Sequence, residues 1–264
     1  MIIPVPSQNR RFKITLGVRV FEPTNLGIRS YDPGKINTDF IRRRAEFTPD
    51  AFKGKRSAYR EFTLPFPLSP DQLHVKVYDK DYGDDASFSI EKFKIEALAP
   101  AEVWAEPEMH RFIDFAQKFA LQAGYTATGS YDSEDGEFLI QYLPVIEDQL
   151  GFPMITPART NRLSGRIQVS QAAFIGYTIP VRMVVLFHER YHYQIPTRLE
   201  KPADLHAMRL YLDLGFPRTE AIYATTKIFL AHPETVGAIH AQRVQDVKAF
   251  IDHYSEKNQL NIKR

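Results

Sequence analysis

Two histidines and a glutamate in the second half of the chain have the types and spacing of a metal site. His188 and His192 are four residues apart, and Glu189 directly follows the first of them. On an α-helix, side chains at i and i+4 project from one face, so the two imidazoles can bind one Zn²⁺ together. Glu189 then lies where its carboxylate can accept a proton from a water on the metal. The segment predicts a zinc-dependent hydrolase centre with Glu189 as the general base.

A helix whose two histidines only pack or form hydrogen bonds is the simpler alternative, and the sequence leaves it open. The chain contains no cysteine, which excludes disulfides and thiolate ligands. Any metal must therefore be held by His, Asp or Glu. A zinc site further requires at least a third protein ligand.

The segment that carries the two histidines is predicted to be a helix. Thr178 is a favourable N-cap, Pro180 suits the first turn, and the helix continues through 181–193. An alternating strand is expected before it at 166–174, after a long polar connection at 151–165. These elements would present His188 and its neighbours from a helix that follows a strand.

Two acids, Glu200 and Asp204, follow this helix closely in the sequence. Pro202 favours a second helix from about Pro202 to Leu214, which places Glu200 just outside that helix and Asp204 in its first turn. On this view Asp204 could bind the metal directly.

The HExxH segment and the residues after it resemble the zincin metallopeptidases, in particular the gluzincins. Residues Ile195 and Arg198 exclude the metzincin continuation HExxHxxGxxH. Gluzincins place a Glu on a following helix, often as E-x-x-A-D, and residues 200–204 read E-K-P-A-D. The resemblance implies a sheet with a substrate-binding edge strand, Glu200 as third ligand and Asp204 as an acceptor that orients a ligand histidine. It also implies hydrolysis of peptide bonds. Glu200 and Asp204 are both candidates for the third ligand, and Glu200 is slightly preferred.

Three features depart from the zincin pattern. Zincin helices usually carry uncharged residues between the Glu and the second His, and a hydrophobic residue two positions after that His. This chain has Arg190 and Gln194 at such positions. The interval from His192 to Glu200 is also short for a gluzincin. A site that binds metal without cleaving peptides therefore remains an alternative.

Residues 203–224, ADLHAMRLYLDLGFPRTEAIYA, are similar to a group of uncharacterised HExxH proteins of tailed bacteriophages. This resemblance covers about the C-terminal third of the chain and implies a virion component. Such a component would either digest envelope or capsid proteins or serve only as a scaffold.

Other polar side chains near the motif are expected to have structural roles. His206 is expected to be exposed or hydrogen-bonded on its helix rather than to bind metal. Four tyrosines are close enough in sequence to polarise a substrate carbonyl, but core packing is the role expected of Tyr191, Tyr193, Tyr211 and Tyr223.

Residues 1–100 are predicted to form a β-rich region. Apolar residues alternate at 11–21, 72–79 and 87–98, as in half-buried strands. The segments EPTNLG, YDPGK and LPFPLSP between them are typical of turns and polyproline-like crossings.

Residues 101–264 are predicted to form an α+β domain around the HExxH helix. An amphipathic helix is expected at 107–123, followed by a hairpin of YTATGSY and EFLIQYL with Asp135-Gly136 as its turn. Two further helices are expected at 218–231 and from Pro233 to about His253. The predicted class is α+β, with a β-rich N-terminal half and a helical C-terminal half.

Charge is distributed unevenly along the 264 residues. The net charge is +2, yet residues 1–60 contain 13 Lys or Arg and 5 Asp or Glu. Such a region suits docking onto a polyanion or an acidic protein face, for example other copies of the chain or virion subunits. Nucleic acid is not favoured, since no nucleic-acid-binding motif accompanies the basic residues.

The sequence also contains no apolar run long enough to span a membrane and no signal-peptide pattern. The expected location is therefore the cytoplasm or an assembled phage virion. The sequence favours two functions. One is a zinc-dependent peptidase that acts on a protein or peptide substrate. The other is a structural or assembly protein of a phage particle, with a structural or inactive HExxH site.

Overall fold

The computed structural model describes residues 1–81, 87–101, 103, 105–195, 199–229 and 238–262. The predicted α+β class is confirmed, with strands dominating the first half and helices the second. The chain divides into two compact units, Met1–Ala101 and Glu102–Arg264.

Among the described residues, the first unit contains seven strands in two antiparallel sheets. They are β1 (Ile2–Val5), β2 (Phe12–Val20), β3 (Thr24–Tyr31), β4 (Asp39–Phe47), β5 (Ala58–Phe66), β6 (Leu73–Asp79) and β7 (Phe88–Ala97). One sheet has the order β1-β6-β3-β4 and the other β5-β2-β7. Alternate apolar residues along β2 and β6 are buried, so they form the core of the unit.

The sequence predicts three of these strands and does not predict the others. The predictions of β2, β6 and β7 are confirmed. The segments EPTNLG and LPFPLSP, interpreted as turns, instead contribute to β3 and β5, so that interpretation is wrong. Pro65 is tolerated because β5 is an edge strand. Gly27 leaves room for a ring on β6, since a Cβ there would lie 2.3 Å from Cζ of Tyr78.

The basic residues of β4 belong to the sheet. Arg42, Arg43 and Arg44 are consecutive, so the strand alternation exposes Arg42 and Arg44 and leaves Arg43 half-buried. Arg42 and Arg29 both donate to the fully buried carboxylate of Asp39. Part of the basic excess of residues 1–60 is therefore neutralised within the fold.

Four short strands form the sheet of the second unit among its described residues. They are β8 (Gly129–Asp132), β9 (Leu139–Leu143), β10 (Ala158–Thr160) and β11 (Ile167–Ser170), in the order β10-β11-β9-β8. β8 and β9 form the predicted hairpin, with φ of 69° at Gly136 in its turn. β10 pairs antiparallel with β11 at the edge of the sheet. It lies in the segment interpreted as a polar connection, so that interpretation is wrong there.

The described helices of this unit are α1 (Pro107–Gln122), α2 (Gln171–Phe174), α3 (Ile179–Gln194), α4 (Glu200–Asp213), α5 (Arg218–Phe229) and α6 (Ala238–Ile262). The predictions of α1 and α3 are confirmed. α4 begins two residues before Pro202, so the expectation that Glu200 lies outside this helix is wrong. Proline is compatible with a first turn, where its missing N–H has no intrahelical partner. Pro233, the expected start of the last helix, lies outside the described residues.

Within the described part of the chain, none of the helices has the length and apolar character needed to cross a membrane.

Candidate metal centre

α3 carries the HExxH segment through the interior of the second unit. Of its 16 residues, 13 are buried, and it contacts α1, α4, α5, β10 and β11. A helix that carries apolar residues on nearly all sides needs neighbouring elements to cover each of those sides. Thr178 occupies the predicted N-cap position, but its hydroxyl donates to Glu220 Oε2 at 2.7 Å instead of capping the helix. The surrounding elements thus enclose α3.

Three donor atoms converge at one point beside α3. His188 Nε2 lies 3.1 Å from His192 Nε2 and 3.3 Å from Glu200 Oε2. His192 Nε2 lies 3.7 Å from the other carboxylate oxygen, Glu200 Oε1. Ligands of a tetrahedral zinc ion at about 2.0–2.1 Å from the metal are about 3.3 Å apart. The spacing therefore suits a single metal ion.

Asp204 lies on the far side of the first histidine. Its Oδ1 is 3.0 Å from His188 Nδ1, the ring nitrogen opposite the one that faces Glu200. Such a contact fixes the ring orientation and the tautomer, which leaves Nε2 available as a ligand. The geometry therefore favours Glu200 over Asp204 as the third ligand. Because both acids lie in the first turns of α4, one helix positions both.

Arg243 of α6 joins the two acids, and sequence reasoning did not find it. Its guanidinium donates to Asp204 Oδ2 through Nε at 2.8 Å, and through Nη2 to Asp204 Oδ1 at 3.0 Å and to Glu200 Oε2 at 3.2 Å. The arginine side chain is only 11% exposed. Since 39 residues separate Arg243 from Asp204, no local pattern could have shown this contact.

The electrostatics of this cluster favour a positive charge between the histidines. Burial by itself lowers the pKa of His188, but hydrogen bonds to Asp204 and Glu200 outweigh it and raise the pKa to about 10. Hydrogen bonds from His188 and His192 hold the pKa of Glu200 well below its usual range. Either a proton or a metal ion can supply the charge that these acids stabilise.

Glu189 contacts the sheet rather than the three donor atoms. The hydroxyl of Thr160 on β10 lies 2.7 Å from Glu189 Oε2 and 2.8 Å from the Glu189 carbonyl oxygen. Glu189 is 8% exposed and lines the same cavity as the two histidines. Sequence reasoning missed Thr160 because a strand of three residues is too short to show alternation.

Arg190, which departs from the zincin pattern, points away from the three donor atoms. Its guanidinium pairs with Glu108 on α1. It also lies over three aromatic rings at 4.7–5.2 Å from their centroids, those of Phe112, Phe138 and Tyr193. The buried cation is thus stabilised by a carboxylate and by ring faces. The positive charge of Arg190 is therefore not part of the group formed by His188, His192 and Glu200.

A cavity of about 400 Å³ opens onto the site. Its polar floor contains the two histidines, Glu189, Glu200 and Asp204, and one wall is formed by residues 154–160, which include β10. The lining also contains apolar side chains, those of Val184, Val185, Ala207, Met208, Ala224 and Val247. The cavity therefore joins a charged centre to an apolar recess and a strand edge.

The weaker candidates lie elsewhere. His206 stacks on Tyr191, with ring centroids 4.3 Å apart. Tyr211 is fully buried and donates to the Pro217 carbonyl oxygen. Among the described residues that line the cavity there is no tyrosine.

In comparisons with known proteins, the chain matches no family model, no curated protein and no solved structure.

Proposed function

We propose that the protein is a zinc-dependent peptidase whose metal is held by His188, His192 and Glu200. The observation that carries the proposal is the convergence of their donor atoms. Nε2 of His188 lies 3.1 Å from Nε2 of His192 and 3.3 Å from Glu200 Oε2. Packing alone does not require two imidazoles and a carboxylate to aim at one point.

The residues present fit zinc. Two imidazole nitrogens and one carboxylate oxygen form a ligand set that zinc accepts in tetrahedral geometry. Among the described residues, these three form the group of acidic and imidazole side chains whose donor atoms converge. Three protein ligands are typical of catalytic zinc sites, in which the fourth position is left for water or substrate.

Zinc held by His188, His192 and Glu200 would lower the pKa of a water and would polarise the scissile carbonyl. Glu189 accepts a proton from the attacking water as the new C–O bond forms. The same carboxyl group then donates this proton to the leaving nitrogen as the C–N bond breaks. Asp204 and Arg243 keep His188 and Glu200 oriented throughout.

The edge of the sheet supports a peptide as the substrate. β10 pairs with β11 on one side, lies at the edge of its sheet and lines the cavity. An extended peptide can add to such an edge through backbone hydrogen bonds while its side chains enter the adjoining pocket. A peptide bound along β10 would bring its carbonyl groups past the metal-binding side chains.

Two measurements test the proposal on purified protein. Elemental analysis is expected to find about one zinc per chain. Glu189→Gln is expected to keep the zinc and to reduce hydrolysis of a peptide library by about 100- to 10,000-fold. The matched control is Glu134→Gln, an exposed glutamate paired with Lys118 on the surface.

The outcomes separate the alternatives. Full activity of Glu189→Gln would exclude Glu189 as the base. Zinc without any hydrolysis by the wild-type protein would exclude the peptidase and favour the structural role. A protein that contains no zinc and binds none would overturn the metal site itself.

A further inference from the structure

The side chain of Thr160 is held in one place by the sheet. Thr160 pairs with Ile167 on β11, and the next residue, Asn161, donates its N–H to the Arg166 carbonyl oxygen at 2.9 Å. Threonine is β-branched, so its χ1 angle has few accessible values. The position of its hydroxyl beside Glu189 is therefore determined by the backbone of β10.

This hydroxyl has two acceptors on the same residue. It lies 2.7 Å from Glu189 Oε2 and 2.8 Å from the Glu189 carbonyl oxygen. A hydroxyl carries one hydrogen and two lone pairs, so it donates to one acceptor at a time. A hydrogen bond to an ionised carboxylate is roughly twice as strong as one between neutral groups. When Glu189 is ionised, the hydroxyl donates preferentially to Oε2.

We propose that Thr160 is the positioning residue of the general base. It engages Oε2 of Glu189, so that Oε1 is the oxygen that accepts the proton of the attacking water. This inference rests on the proposed peptidase function and assigns the role of each carboxylate oxygen in it. The proton moves from the water to Oε1 and then to the leaving nitrogen. Throughout, Oε2 accepts the hydrogen bond from the Thr160 hydroxyl.

Thr160 lies on β10, the edge strand that we propose to bind the peptide backbone. The same strand therefore binds the substrate and carries the hydroxyl that orients the base. A peptide paired along β10 and the Glu189 carboxylate are therefore held by the same short segment. Correct alignment of the reacting groups affects the chemical step more than it affects ground-state binding.

A purely structural role would have a different signature. The contact with the Glu189 carbonyl oxygen ties β10 to α3 whether or not catalysis occurs. If that were its whole function, loss of the hydroxyl would lower thermal stability and leave kcat of the folded protein unchanged. A positioning role would lower kcat in protein that remains folded and loaded with zinc.

Thr160→Val tests the proposal, because valine keeps the shape of the side chain and removes the hydroxyl. We expect kcat to fall about 10- to 100-fold, with KM within about threefold of wild type and zinc content unchanged. Thr160→Ser restores the hydroxyl and is expected to return kcat to within about threefold of wild type. Thr226→Val is the matched control, since among the described residues that hydroxyl donates only to carbonyl oxygens of its own helix. Unchanged kcat in Thr160→Val, or no rescue by serine, would overturn the proposal.

Crystal structures of the wild type and of Thr160→Val, grown in the same zinc-containing conditions, provide a readout that needs no turnover. The Glu189 carboxylate is expected beside Thr160 in the wild type and in a different rotamer in the variant. An unmoved carboxylate in the variant would overturn the positioning role even if the wild type cleaves no peptide. A wild type without hydrolysis but with a moved carboxylate in the variant would contradict the peptidase function and leave the Thr160–Glu189 contact established.

Discussion

Two groups of charged side chains in this protein have opposite surroundings. On the exposed face of the sheet β5-β2-β7, cations and anions form a set of ion pairs within and between strands. The pairs are Arg19–Glu91, Lys92–Glu61, Lys94–Glu96 and Lys13–Glu96. Their side chains are between 35% and 60% exposed, so water screens each pair. Pairs of this kind contribute little to stability.

The second group surrounds the candidate metal site and is largely buried. Asp204 is 3%, His192 6% and Arg243 11% exposed at the side chain. Charges removed from water are costly unless a partner lies close by, and the Asp204 carboxylate accordingly lies 2.8 Å from the Arg243 guanidinium. The comparison shows that burial, more than the number of charges, separates a solvated surface from a site that attracts a cation.

The largest effect is expected from removal of a donor atom. His192→Ala should reduce bound zinc from about one per chain to almost none, because two remaining ligands rarely hold zinc against buffer. Elemental analysis after dialysis measures this. His110→Ala, which changes an exposed histidine of α1, should retain the metal. Full retention of zinc by His192→Ala would place the metal elsewhere.

An intermediate effect is expected when the arginine that joins the two acids is neutralised. Arg243→Gln should lower the free energy of unfolding of the metal-free protein by about 3 kcal/mol, since it leaves the buried carboxylate of Asp204 without its guanidinium partner. Urea unfolding measures the loss. Arg19→Gln removes an arginine from the exposed pairs and should leave the unfolding midpoint within error of wild type. Equal losses in the two variants would remove the distinction between the two groups.

The sequence predicts the part of the site that lies on one helix, and it does so for a local reason. His188, Glu189 and His192 share a face because of the helical period alone. Glu200 follows closely enough to be a candidate, although only the structure shows that α4 begins there.

The remaining parts of the site come from long-range packing. Thr160 lies 29 residues before Glu189, and Arg243 lies 43 residues after Glu200. Neither has a spacing rule that links it to the motif. In the first unit, β3 and β5 are missed for a related reason. Gly27 is explained only by the Tyr78 ring on the neighbouring strand, and Pro65 only by the edge position of β5.

The smallest effect is expected from the pH response of the exposed pairs. Hydrogen bonds from Lys92 and then from Tyr59 lower the pKa of Glu61 below its ordinary value of 4.5. A lowered pKa in the folded state gives a stabilising contribution that is present above the unfolded value and is lost as the pH falls through the folded value. The wild type should therefore lose slightly more stability than Glu61→Gln between about pH 5 and about pH 3.

Urea midpoints of both proteins at the two pH values measure this difference, and high salt should reduce it further because the groups are exposed. A large difference that persists in about 1 M salt would mean that the exposed pairs behave like the buried group. The contrast between the two regions would then have to rest on geometry, since among the described residues it is the buried group whose donor atoms converge on a common point.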